Sequence, residues 1–265
     1  MIPETLQNFV YQESPSIYTK CFYVMNFLAL LYLGISEFTG NHLQYSKFWN
    51  LGSKKSGGIL LRSKVGMLIL YTPSVLAGLS SFVLFPTAKI RVLMLKSAIT
   101  LHFLKRDLEV LFLHKFSGFM VLDSVITISA AYFASAVSLI YFQHRTEGLS
   151  EPLIDLKYVG ILVFLGGICG NFYYHLLLSR LRKKGDEGYK IPRGGLFNLV
   201  ICPHYLFEIV TFIGISFISQ TTLSYFCALG SAFYLLGRSY ATRNWYLSKF
   251  EDFPKNVKAL IPYVF

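Results

Sequence analysis

Several apolar stretches of this chain carry polar side chains at helical spacing. In "LHFLKRDLEVLFLHK", Lys105 and Glu109 are four residues apart, as are His102 and Arg106, so each pair shares a helix face. In "GNFYYHLLLSRLRKK", Asn171 and His175 share a face that Ser179 continues, and Arg182 opens the basic run that follows. "CPHYLFE" sets His204 and Glu208 on one face with Tyr205 between them. Further on, Arg238 and Tyr246 stand eight residues apart. Arginine and lysine are natural partners of phosphate oxygens, arginine by bidentate hydrogen bonds. Tyrosine and histidine can polarise a carbonyl or donate a proton. Gathered around one cavity, such groups suit an anionic ligand. Each also has a plainer use: Lys105–Glu109 as an ion pair at a helix end, and Arg182, Lys183 and Lys184 as an anchor on anionic lipid heads.

Other chemistries find no support. No P-loop, HExxH motif, nucleophile elbow or metal-spaced acidic pair occurs. Cys21, Cys169, Cys202 and Cys227 lie in apolar runs without a close pair, so neither a disulfide framework nor a zinc ligand set is expected. We expect no metal. "GGICG" (Gly166 to Gly170) follows no strand and reads as a helix-packing surface of small residues four apart.

The elements that position these residues follow from composition. The 265-residue chain is 54% hydrophobic and 17% aromatic, with mean hydropathy +0.49. Its apolar runs are apolar all round, as in helices embedded in lipid. Seven segments are expected, roughly Ile17–Ile35, Val65–Phe85, Val92–Leu113, Val121–Phe142, Tyr158–Leu178, Tyr205–Ser219 and Thr222–Tyr240. The predicted class is therefore all-α: a polytopic membrane protein with seven transmembrane helices in one membrane domain, residues 1–265. Cys202-Pro203 should begin or kink the sixth span.

A net charge of +11 on a soluble chain would point to nucleic acid. On a membrane protein it reports cytoplasmic loops, so no nucleic-acid partner is expected. The loops after segments one, three and five are basic, through Lys47, Lys54, Lys55, Arg62 and Lys64, then His114 and Lys115, then "SRLRKKGDEGYKIPRGG". These loops should share the cytosolic side with the tail from Ala241 to Phe265. Glu4, Glu13 and "HRTEGLSEPLIDLK" fall opposite, giving a lumenal N-terminus and a cytosolic C-terminus. Lys89 and Arg91 depart from that pattern. The N-terminal "MIPETLQNFVYQESPS" lacks the basic and early apolar regions of a cleavable signal peptide.

The C-terminal third resembles the steroid 5α-reductase family, in "YKIPRGGLF" (Tyr189 to Phe197), Glu208 and "NWYLSKFEDFPKNVKALIPYVF" (Asn244 to Phe265). The middle is similar to the sister very-long-chain trans-2-enoyl-CoA reductases, in "HFLKRDLEVLFLHKFSG", "GNFYYHLLLSRLR" and "CPHYLFE". Residues 115–265 are the most family-like part. No text resembles the N-terminal ubiquitin-like domain usual in the enoyl-CoA reductases. The resemblance implies a seven-helix fold of the endoplasmic reticulum membrane, NADPH in a cytosol-facing cavity, and reduction of a carbon–carbon double bond conjugated to a carbonyl in a lipid or steroid substrate.

By position it implies cofactor roles for Asn171, Arg182, Tyr189, Lys190, His204, Glu208, Arg238 and Tyr246. Lys190 stands where the steroid reductases often have arginine. His204 stands where they have the asparagine that contacts the nicotinamide amide. The groups that hold the steroid ketone differ, with Tyr71 in "LYTPS" replacing a glutamate and Phe103 in "HFLKR" replacing a tyrosine. Tyr205 matches the proton donor of the enoyl-CoA reductases. The expected catalytic candidates are therefore Tyr205, Tyr71 and Lys105. The expected activity is that of a 3-oxo-Δ4-steroid reductase, with a trans-2-enoyl-CoA reductase or a non-catalytic lipid-binding protein as alternatives.

Overall fold

The computed structural model describes residues 7–13, 16–49, 58–181 and 188–265. Glu4, Lys54, Lys55, Arg182, Lys183 and Lys184 lie outside the described residues. Seven long helices form among the described residues: α1 (Ile17–Phe38), α2 (Ser63–Leu84), α3 (Ile90–Leu108), α4 (Leu122–His144), α5 (Lys157–Arg180), α6 (Pro203–Ser219) and α7 (Thr222–Lys249). Four of them, α1, α2, α4 and α5, are long and apolar enough to cross a membrane. α6 is apolar but has only 17 residues. α3 is broken by charge.

Local chemistry sets the helix ends. Ser16 caps α1 by accepting from the Thr19 amide, and Thr221 caps α7 by accepting from Ser224. Pro203 starts α6, where a missing amide proton costs nothing. Gln220 closes α6 in the left-handed region (φ 52°). The third expected segment is two elements, because α3 gives way to a wider π-helical turn over Glu109–Leu113. The seventh extends to Lys249 rather than Tyr240.

α2 holds Pro73 in its interior. Proline cannot donate to the carbonyl four residues back, and in a membrane-embedded helix that carbonyl needs another donor. Ser129 Oγ of α4 supplies it, at 2.9 Å from the Ile69 oxygen. Tyr71 sits in this opened turn.

α5 packs along α6, α1 along α7, and α2 against both α3 and α4. The α5–α6 contact runs backbone to backbone. A methyl group on Gly167 would come within 2.5 Å of the Thr211 amide nitrogen, and one on Gly214 within 2.4 Å of that of Phe164. Of the expected "GGICG" surface, Gly167 and Gly170 meet α6, whereas Gly166 faces open space.

The loops sort to two ends. At one, Gln220 is fully buried. Its amide donates to the carbonyls of Phe9 and Ile154, and its oxygen accepts from the Leu156 amide, each at 2.8 Å. Arg91 joins it at 3.0 Å and pairs with Glu151 and with Asp155, 2.6 Å away. The positive charge that departed from the expected loop pattern is thus neutralised on the spot. At the opposite end, Leu60–Arg62 and Phe119–Val121 form a two-stranded antiparallel ribbon (β1, β2) with Leu61 opposite Met120. There too the tail folds back on the loop before α6: Lys258 bridges to Val200, and the Ile201 amide donates to the Lys258 carbonyl at 2.9 Å. Arg243 pins this return by donating to the carbonyls of Val257 and Lys255. The distinctive tail text therefore fixes where α6 begins.

Burial alone would raise the Asp155 carboxyl, but Lys157 and Arg91 outweigh it and hold the group below the usual carboxylate range. A depressed carboxylate contributes stability above its unfolded value of about 3.9, and that contribution is lost as pH falls through the folded value. Asp155→Asn should therefore lower the melting temperature at pH 7, and the difference from the parent should shrink as the pH falls below about 3.9. An equal loss on both sides of that pH would contradict this account of the clasp.

Candidate active site

Where α3 ends, three consecutive turns carry a buried ionic network. The Arg106 guanidinium donates to Glu109 Oε2 at 3.1 Å and to the Tyr71 hydroxyl oxygen at 2.5 Å. It also lies 4.8 Å from the Tyr71 ring centre. His175 of α5 presents Nδ1 at 3.0 Å from both Arg106 Nη1 and Glu109 Oε2. Lys105 pairs with the other Glu109 oxygen at 2.8 Å and donates to Asn171 Oδ1. Asn171 in turn donates to the His204 carbonyl at 2.7 Å. A single carboxylate thus ties α2, α3, α5 and the first turn of α6 together.

Burial and then Arg106 push His114, just beyond the π-helical turn, down to about 4, so it is neutral at physiological pH. Glu109, His114 and His175 bring one ligand atom each within 4.8 Å of one another. However, Lys105 and Arg106 already occupy that carboxylate, and two cations at this range repel a third.

These groups back onto a cavity of about 480 Å³. Of the residues predicted from sequence, Tyr71, Tyr189, Lys190, His204, Tyr205, Glu208, Arg238 and Tyr246 line it. Lys105 and Asn171 stand behind the wall and hold it. Arg182 lies outside the described residues. The end of α7 supports the Tyr189–Lys190 side: Tyr246 donates to the Lys190 carbonyl at 3.4 Å, and the Tyr189 ring meets Trp245 at 4.9 Å. Buried His204 Nδ1 has no hydrogen-bond partner among the described residues, which leaves it available to a ligand.

Arg238 is 1% exposed. It donates to Glu37 Oε1 at 2.8 Å and to the carbonyls of Leu43 and Tyr45, between the rings of Tyr45 and Phe48 at 4.0 and 4.1 Å. Its charge is thus matched within the protein, where it joins α7 to α1 and the following loop.

A second, apolar chamber of about 50 Å³ adjoins the first. Ile99, Phe103, Phe212 and Ile215 are among its walls, and it shares Glu208, Tyr132, Tyr234 and Leu235 with the larger cavity. Sequence reasoning placed Arg106 with His102 and His175 with Asn171, and gave no signal for Tyr132. The i,i+3 relation of Arg106 to Glu109 was legible. The link to Tyr71, 35 residues away, was not.

Removing Glu37 leaves a buried guanidinium without its carboxylate, a change that costs about 3–5 kcal/mol. Glu37→Ala should therefore melt well below the parent, whereas Glu37→Gln, which can still accept from Arg238, should fall between them. Equal melting of all three would contradict the pairing.

Residues 116–265 match the family model described as 3-oxo-5-alpha-steroid 4-dehydrogenase. The chain is 36% identical over 148 residues to a steroid 5-alpha-reductase of Gossypium hirsutum, covering 52% of this chain and 57% of that relative. It is 34% identical over 167 residues to a very-long-chain enoyl-CoA reductase of Dictyostelium discoideum, covering 62% and 55%. Against 3-oxo-5-alpha-steroid 4-dehydrogenase 1 of Homo sapiens it is 39% identical over 126 residues, covering 47% and 49%. The chain spans about half the length of these curated relatives. With more than half of its residues matched by that model, and the matched part containing His175, His204, Tyr205, Glu208 and the tail that fixes α6, the chain belongs to the 3-oxo-5-alpha-steroid 4-dehydrogenase family.

Proposed function

We propose that this protein is an NADPH-dependent reductase of a carbon–carbon double bond conjugated to a carbonyl in a lipid, with a 3-oxo-Δ4-steroid or related sterol as substrate. The observation that carries the reading is the Tyr71 hydroxyl held by Arg106 in the wall of a polar cavity that adjoins an apolar chamber. The names of the steroid reductases to which the chain is similar support it further.

The donor set of the larger cavity fits the cofactor. Lys190 is suited to its phosphates, Tyr189 and Tyr246 to its flat rings, and the unpartnered His204 Nδ1 to its carboxamide. When bound, NADPH supplies a hydride for the β-carbon of the enone. Tyr71 then acts on the other end of the conjugated system. Because Arg106 donates to the phenolic oxygen, the phenolic proton remains available for the substrate carbonyl, and the cation strengthens that donor as the oxygen gains charge. In this reading Tyr205, which lines the same cavity, returns a proton to the α-carbon. Lys105 works through Glu109 and Asn171 as a positioning residue. The net change is addition of hydride and one proton across the double bond.

The end bearing the basic loops and the tail faces the cytosol, all seven helices lie across the bilayer of the endoplasmic reticulum as one domain, and the cofactor enters from the cytosolic end. A second reading, reduction of a trans-2-enoyl thioester, draws on the enoyl-CoA reductase alignment, which covers 62% of the chain.

Purified protein in detergent, given NADPH and either a 3-oxo-Δ4-steroid or a trans-2-enoyl-CoA, should oxidise the cofactor with the steroid. Tyr71→Phe should lower kcat by about 10²–10³-fold with NADPH binding unchanged. Oxidation with the thioester alone would establish the second reading. Absence of both oxidation and NADPH binding would make the protein a non-catalytic lipid binder.

A further inference from the structure

Tyr132 lies in the apolar middle of α4, in "SAAYFASA", and lines both the polar cavity and the apolar chamber. Its ring stacks on Tyr71 with centroids 5.7 Å apart and planes 24° from parallel. It also meets Phe103 at 5.4 Å. Tyr234, another polar residue shared by the two cavities, has its hydroxyl 3.1 Å from that of Tyr45. Tyr71 has Arg106. The Tyr132 hydroxyl has no hydrogen-bond partner among the described residues.

Phenylalanine would fill the same volume beside Phe103 and Tyr71, so what the tyrosine adds to this wall is a hydroxyl donor that opens onto the cavity. Its position narrows the ligand. A molecule bound across the junction would have its hydrocarbon towards Phe103 and its polar end towards the two stacked tyrosines, where a carbonyl oxygen would take a hydrogen bond from each.

We propose that Tyr132 is a catalytic residue, the second hydroxyl donor to the substrate carbonyl, acting side by side with Tyr71. This inference rests on the reductase reading above. Two donors at one oxygen form a pocket for the negative charge that develops there during reduction. Phe103 offers no hydroxyl but lies one ring away from Tyr132. Phe103→Tyr should therefore be able to return a donor to the junction when Tyr132 has lost its own.

The test compares the parent, Tyr132→Phe and the double variant Phe103→Tyr/Tyr132→Phe. The first readout needs no cofactor: the infrared carbonyl stretch of a bound 3-oxo-Δ4-steroid labelled with carbon-13 at the carbonyl. The stretch should lie lowest in the parent, rise in Tyr132→Phe as one hydrogen bond is lost, and fall again in the double variant. With NADPH added, Tyr132→Phe should lose about 10²-fold in kcat with unchanged NADPH binding, and the double variant should recover part of that loss. Its melting temperature should match or exceed that of the parent. An unchanged carbonyl stretch together with full turnover in Tyr132→Phe would overturn the proposal. A parent that shows the shift on mutation yet oxidises no NADPH would overturn the reductase reading and leave the carbonyl-donor role standing. A parent that binds no enone would remove both.

Discussion

A guanidinium beneath four helices requires negative charge and hydrogen-bond acceptors within reach, because water is not there to provide them. Arg106 finds them in Glu109, His175 and the Tyr71 oxygen. Much of the site follows from this requirement. Glu109 must point inward from the π-helical turn, and Lys105 shares it. Asn171 is held by Lys105 and in turn holds the first turn of α6. Tyr71 sits where Pro73 has opened α2 and Ser129 has closed the resulting gap. The hydroxyl that the proposed chemistry needs is fixed by the charge that the buried cation needs.

The rest of the fold keeps that network in register. Gln220 and Arg91 tie one end of the bundle, joining the N-terminal stretch, the α4–α5 loop and the α6–α7 turn. The tail, pinned by Arg243 and paired with the stretch before Cys202, ties the other. Backbone contact at Gly167 and Gly214 leaves α5 and α6 little room to slide. His175 and His204, on these two helices, keep their rings 5.5 Å apart at the cavity wall.

Much of this was legible in the sequence, and for a physical reason. Runs that are apolar all round end where polar text begins, so the expected segments match six of the helices to within a few residues. The seventh expected segment ends at Tyr240, between Arg238 and Arg243, two charges that as bare groups would sit badly in a span. Glu37 and the tail carbonyls satisfy those two charges instead, and the helix continues to Lys249. Arg238 shows the same limit in the site. It reads as a phosphate partner as long as Glu37, 201 residues away, is out of view. Of the i,i+4 polar pairs, Arg106, His175, His204 and Glu208 line one cavity, whereas His102, Lys105, Glu109 and Asn171 do not. Tyr132, with no charged residue within a turn of it, gave no such signal. Its significance lies in Tyr71 and Phe103, which only the packing of α4 against α2 and α3 brings beside it.

The central claim is that Arg106 acts on catalysis through the Tyr71 hydroxyl. A double-mutant cycle on kcat measures this directly, with Arg106→Met, Tyr71→Phe and the double variant, because Lys105 still neutralises Glu109 when Arg106 is gone. The account predicts strong non-additivity: the double variant should turn over no more slowly than the Tyr71→Phe variant alone. Effects that add to within about 0.3–0.5 kcal/mol would mean that the two residues act independently, and would contradict it.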